Sequence, residues 1–190
     1  MFVFRSCFDE NGLFSYIGTG GNTEVYGNPH LKGFLVANRS SNFNTWGNSN
    51  AADFVGREKK YSYTNNIALS WMSVDVGVSR SLQVNHYCLR HGYSGDNGYV
   101  LRSWQLQACN DGINWVVLRE HSNDTSMGTS AYCEGHWEVN SPASNTSYRH
   151  FRILQTGKNS GYGNISSKDN CLMCCGIELY GKLTITSGAF

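Results

Sequence analysis

Cys171-Leu172-Met173-Cys174 has the Cys-x-x-Cys spacing of a zinc ligand pair, and Cys133 with His136 has Cys-x-x-His spacing. Zinc pairs of this kind sit on turns where both donors converge. A strand sends residues three apart to opposite faces, and CLMCCGIELY (171–180) reads as an almost unbroken apolar strand. A structural zinc is therefore not expected. Glu134, Glu138 and Glu178 are carboxylates that acid–base chemistry would need, but Glu138 stands between Trp137 and Val139 as the solvent side of a strand. Nothing sets two carboxylates about 5–10 Å apart across a cleft, as glycoside hydrolysis requires. The histidines and serines come without a GxSxG elbow or a catalytic-cysteine motif. GTGGN (18–22) lacks the lysine and the following helix of a phosphate loop. No catalytic residue, metal or cofactor is expected.

What remains is recognition. Three loops carry aromatic, Arg, His, Lys and Asn side chains, at 38–50, 91–102 and 157–170. The candidate ligand-binding residues are His91, Tyr93, Asn97, Arg102, Trp46, Lys158 and Tyr162. Trp46, inside an Asn/Ser loop, is either a ligand platform or an anchor tucked under its own loop. Loop 157–170 has few large apolar residues to insert into a bilayer, Tyr162 and Ile165 being the exceptions. Strand parity puts Arg102 on the inward face with Trp104, Leu106 and Ala108, and puts His91 in register with Tyr87 and Leu89. The two strands should run antiparallel, bringing His91 and Arg102 together beneath their loop. Two readings stay open. Arg102 pins loop carbonyls and a nearby carboxylate, with His91 packed beside it. Alternatively, Arg102, His91, Tyr93 and Asn97 present a polar pocket for a peptide or glycan.

The elements that position these groups are strands. Trp104, Leu106 and Ala108 alternate with Ser103, Gln105 and Gln107, the period of a half-buried strand. Asn110-Asp111-Gly112 signals a tight turn, and Trp115 to Leu118 begins the returning strand. Trp71–Val76, Tyr132–Val139, Arg149–Gln155 and Cys171–Tyr180 read as further strands, with Leu13–Ile17 and Leu31–Ala37 as shorter ones. Asp75, at a strand end before Gly77, is a turn-stabilising carboxylate. The core should include Leu89, Trp104, Leu106, Trp115, Phe151, Ile153, Ile177 and Leu179. A frayed tail follows near residue 184.

Aromatics make up 13% of the chain and charged residues 15%, with 21 glycines and 2 prolines, a mix that favours many strands and turns. The net charge of +1 offers no basic field for nucleic acid. No apolar run is long enough to span a membrane, and the start lacks the pattern of a secretory signal. Seven cysteines, two of them adjacent, make a poor disulfide framework, so mostly free thiols in a reducing, cytoplasmic setting are expected.

The stretch LRHGYS…LRSWQLQACNDGINW resembles the middle of the discoidin, or coagulation factor V/VIII type C, domain, and most closely the copy found in large HECT-type ubiquitin ligases. WMSVDVG (71–77), YRHFRILQTGKN (148–159) and GIELYG (176–181) resemble its strands. FDENGLFSYIGTGG (8–21) resembles the segment that leads into the ligase version. The resemblance implies an all-β jelly-roll sandwich of the galactose-binding type, one domain over 1–183 with a lead-in at 1–30. It implies a non-catalytic module that binds at its loop end. The expected partner is a protein or peptide, with substrate recruitment in a ubiquitin ligase as the role. The alternative is a secreted glycan- or lipid-binding domain. Extracellular relatives bridge the two termini, so a disulfide would form first between Cys7 and a cysteine near the last strand.

Overall fold

A computed structural model describes residues 1–42, 49–93, 98–161 and 168–186. Two antiparallel sheets face each other. The larger is built from β1 (Val36–Arg39), β2 (Trp71–Asp75), β4 (Trp104–Cys109), β5 (Val116–His121) and β7 (His150–Gln155), in the order β1-β2-β7-β4-β5. The smaller holds β3 (Arg80–His91), β6 (Glu134–Glu138) and β8 (Cys174–Ile185), in the order β6-β3-β8. This is the all-β, two-sheet sandwich that the resemblance implied.

Alternation decides which faces meet. Met72, Ile153 and Leu106 form one row across β2, β7 and β4, and Val74, Phe151 and Ala108 form the next. All six are at most 1% exposed. Opposite them, Leu82, Val84, Tyr87, Leu89, Ile177 and Leu179 fill the inner face of the small sheet. Of the expected core only Trp115 is misplaced. The Asp111 carboxylate accepts the N–H groups of Ile113 and Asn114, at 2.9 and 2.8 Å, which prolongs the turn. The strand therefore starts after Trp115, and its half-buried indole lies over the Arg152 guanidinium at 4.2 Å.

Three other expectations need correction. Leu13–Ile17 is not a strand but the helix α1 (Leu13–Gly18). Its first turn donates Phe14 N–H and Ser15 N–H to the buried Glu178 carboxylate on β8, at 2.8 and 3.2 Å. The cap comes from another strand, so no local signal announces it. The second candidate strand begins only at Val36, because Phe34 N–H closes a turn on Pro29 O at 2.9 Å. At the other end β8 runs on through Ile185, which pairs with Arg80, so the tail starts later than expected.

The lead-in segment covers the outer face of the small sheet. Phe2 exchanges main-chain hydrogen bonds with Gly181 at 2.7 and 3.0 Å. Phe4 stacks on His86 with centroids 3.8 Å apart, and Phe8 lies against Arg90 at 3.9 Å. Gly12 packs so tightly on Glu178 that a Cβ there would lie 2.1 Å from the carboxylate carbon.

Candidate functional site

β3 and β8 run from the Arg80–Ile185 end of the sandwich to the His91–Cys174 end. The bases of loops 40–49, 92–103, 122–133 and 156–173 gather at the second end. Trp46, Asn97 and Tyr162 lie outside the described residues. The remaining candidates are placed as follows.

His91 closes β3 and points inward, 1% exposed. Its Nδ1 faces Met173 O at 3.2 Å and its Nε2 faces Gly98 O at 2.9 Å. Burial pushes its pKa down to about 4, so the ring is neutral near pH 7 and donates to one of the two carbonyls. Arg102 sits just before β4, in the opposite sheet from β3, and its charge also disfavours protonated His91. The Arg102 Nη1 donates to Met127 O at 2.8 Å and Asp124 O at 3.3 Å, pinning loop 122–133. The nearby carboxylate, that of Asp124, is turned toward His121 instead. Lys158 pairs with Asp169 at 3.1 Å, with 74% of its side chain exposed.

Tyr93 leads to a group that the sequence reading missed. Its ring lies 5.3 Å from Tyr61 and 5.6 Å from Tyr99, and Tyr61 lies edge-on to Tyr63 at 5.0 Å. Tyr63 and Tyr99 are buried, while Tyr61 and Tyr93 are half exposed above them. The Lys168 ammonium stands over Tyr63 and Tyr99 at 5.4 and 5.8 Å. Cys171 and Met173 form the floor. The rings, the sulfur groups and the cation make a surface suited to partly apolar ligands with a polar rim. The Tyr61-x-Tyr63 spacing, two residues on one face, was the signal available for it.

Arg39 was also missed. It is 7% exposed, and it donates Nε to Asn42 Oδ1 at 2.6 Å and Nη2 to Ser49 O at 2.6 Å. It thereby clamps both ends of loop 40–49 beside the tyrosines. Asn159 does the same for the next loop, donating Nδ2 to Lys168 O and Cys171 O at 2.8 and 3.1 Å.

Beneath this end lies a chain of side chains that resembles catalytic machinery. Trp104 Nε1–H donates to the Tyr87 hydroxyl at 3.0 Å, that hydroxyl lies 2.7 Å from His121 Nε2, and His121 Nδ1 lies 2.6 Å from Asp124. The Trp104 indole stacks flat on His121, centroids 3.9 Å apart. With neutral His121 every donor has an acceptor: Trp104 to Tyr87, Tyr87 to His121, His121 to Asp124. Tyr87 and Trp104 are 0% exposed, so no substrate reaches the hydroxyl. Burial lowers the His121 pKa against the pull of Asp124, which keeps the ring in this neutral state. The chain joins the two sheets and is structural. Among the described residues, no group of three or more His, Cys, Asp or Glu converges as a metal site. The Cys175 thiol is taken by His91 O at 3.1 Å and the Cys174 thiol by Gly176 O at 3.3 Å.

No family model matches the chain. Its sequence is 32% identical over 182 residues to the E3 ubiquitin-protein ligase Ufd4 of Drosophila melanogaster, covering 93% of this chain and 6% of that protein. It is 29% identical over 181 residues to the E3 ubiquitin-protein ligase hecd-1 of Caenorhabditis elegans, covering 94% of this chain and 6% of that protein. The chain thus spans a small fraction of these HECT-type relatives. Among solved structures it resembles CpGH89CBM32-5 from Clostridium perfringens, solved with GalNAc-β-1,3-galactose, at 15% identity and a TM-score of 0.53. That match covers 79% of this chain and 97% of the other. The discoidin-like, galactose-binding-type sandwich is thus shared with carbohydrate-binding modules, and the sequence is shared with a segment of HECT-type ligases.

Proposed function

We propose that this chain is a non-catalytic recognition module that binds a protein or peptide segment at its loop end and recruits substrate within a ubiquitin ligase. The observation that carries the reading is the tyrosine platform. Tyr61 and Tyr93 are half exposed over buried Tyr63 and Tyr99, with Lys168 beside them and loops clamped by Arg39, Arg102 and Asn159. A rigid sandwich with such loops holds aromatic anchors in place before a partner arrives, which lowers the cost of ordering them on binding. His91 and Arg102 support the loops from below, Tyr93 contacts the ligand, and Lys158 lies on the rim. The similarity to ligase segments supports a cytoplasmic setting and a protein partner. No helix among the described residues is long and apolar enough to cross a membrane.

Glycan binding is the second reading. The neighbour solved with a galactoside favours it, and so do the partly exposed rings of Tyr61 and Tyr93, since sugar rings pack on aromatic faces. One experiment separates the two. Deleting the module from a ligase that carries it should stabilise a subset of that ligase's substrates, and Tyr93→Ala with Lys168→Ala should reproduce the effect without changing the melting temperature. Saturable calorimetric binding of a galactoside, abolished by the same pair and with substrate turnover untouched, would instead establish the glycan reading.

A further inference from the structure

The lead-in segment lies over β3 in register. His86, Cys88 and Arg90 are two residues apart, so they share the outer face of the sheet. Over them sit Phe4, Cys7 and Phe8 in the same order. Phe4 stacks on His86 and Phe8 lies against Arg90, so Cys7, between them, lies over Cys88 and its thiol neighbours the Cys88 thiol. The register is held on both flanks. The Tyr180 hydroxyl donates to Ser6 O at 3.2 Å, and Asp9 N–H closes a turn on Ser6 O at 3.4 Å. Phe8 adopts φ +53°, a left-handed angle that is unfavourable for a bulky side chain. Its ring fills the space above Gly176, where a Cβ would come within 2.9 Å. The turn is thus fixed with Cys7 facing the strand.

We propose that Cys7 and Cys88 are a redox pair, Cys7 the attacking thiol and Cys88 the resolving one, whose disulfide locks the lead-in onto the small sheet. The oxidant is a hydroperoxide. The Cys7 thiolate attacks the terminal peroxide oxygen, the O–O bond breaks, and the leaving hydroxide takes up a proton to leave as water. The resulting sulfenic acid is attacked by the Cys88 sulfur. An S–S bond forms, the S–OH bond breaks, and the thiol proton leaves with the hydroxyl as a second water. Two thiols and one hydrogen peroxide become one disulfide and two waters, so the sulfurs lose the two electrons that the peroxide gains.

The surroundings assign the roles. Cys7 is half-buried and within reach of a small oxidant, whereas Cys88 is 0% exposed. The adjoining Cys88 thiol lowers the Cys7 pKa, and burial raises those of Cys109, Cys133, Cys171, Cys174 and Cys175. The termini do meet, as the extracellular resemblance implied, but the thiol that faces Cys7 lies on β3 and not near the last strand.

The test is a redox titration of the chain. Iodoacetamide should alkylate Cys7 about tenfold faster than any other cysteine. Equimolar hydrogen peroxide should then give a Cys7–Cys88 cross-linked peptide, lighter by two hydrogens and restored by dithiothreitol, and should raise the melting temperature. In Cys7→Ser, Cys88 should stay reduced and peroxide should leave the melting temperature unchanged. Cys7→Ser is the decisive variant, because Cys88→Ala removes a fully buried group and can fail to fold. The proposal is overturned if Cys7 reacts no faster than the rest. It is also overturned if oxidised Cys7 ends as sulfinic acid or linked to Cys174 or Cys175 while Cys88 remains free.

Discussion

The two sheets bury their faces differently. In the five-stranded sheet, β2 and β7 alternate between buried and half-exposed residues along their whole length. Its outer face carries an ordered polar row: Arg152 donates to Gln107, Gln107 to Gln105, and Gln105 to Glu120. In the three-stranded sheet, β8 is buried at every residue from Cys174 to Gly181, and the last five residues of β3, Tyr87 to His91, are also buried. The difference is the lead-in. A sheet with one wet face shows its orientation in the sequence, while a sheet covered on both faces does not.

Substitutions can break or sharpen this contrast. The largest effects should come from the two buried sides. Trp104→Ala, at the inner face of the large sheet, should lower stability by about 3–5 kcal/mol. Phe14→Ala, in the lead-in helix and 1% exposed, should cost a comparable amount, about 3–5 kcal/mol, if the lead-in is true core. Chemical denaturation reads both, and a loss under about 1 kcal/mol at Phe14 would make the lead-in an accessory and end the comparison.

The next effect depends on pH. Burial raises the Glu178 pKa from 4.5 to about 7, against the pull of the N–H groups of Phe14, Leu179 and Ser15. A carboxyl whose pKa is raised by folding binds its proton more tightly in the folded state. Its contribution is fully present below about pH 4.5 and is lost as pH rises through about 7. Stability should therefore decline between pH 5 and 8 by roughly 1–3 kcal/mol from this group alone. The difference between wild type and Glu178→Gln across that range isolates it; parallel profiles would show that the capped carboxylate stays ionised.

The smallest effects lie on the outer faces and should still differ. Phe8→Ala should cost about 1–2 kcal/mol, since it empties the space over Gly176 and removes the ring stacked against Arg90. Gln105→Ala, on the solvent side of the large sheet, should stay within about 0.5 kcal/mol. Equal melting temperatures for these two variants would mean that the small sheet is not covered in solution.

The same contrast explains what was legible beforehand. Period-two alternation placed β2, β4 and β7 and the core residues Trp104, Leu106, Phe151 and Ile153, because each strand there reports its own burial; Leu89, Ile177 and Leu179, on the covered sheet, are also buried as expected. Trp115 failed because hydrogen bonds to Asp111 set the length of a turn. Leu13–Ile17 failed because its helix is capped by Glu178, 164 residues away along the chain. At the loop end, Tyr93 could be read as a surface aromatic and Arg102 as a half-buried cation just before a strand, pinning loop carbonyls. Arg39 could not, since it looks like any arginine beside a polar loop until Ser49 and Asn42 close around it.

One feature of the lead-in bears on mechanical force. Phe2 pairs antiparallel with Gly181, so the polypeptide enters and leaves on the same side of the sandwich, toward the end opposite the tyrosine platform. Tension applied through both flanks would pull this pair apart as a zipper, one hydrogen bond after another, and would not shear them all together. The first element to give way under load would be the segment over the small sheet, and a covalent bond from Cys7 to Cys88 would halt that peeling before it uncovered the rest of β3.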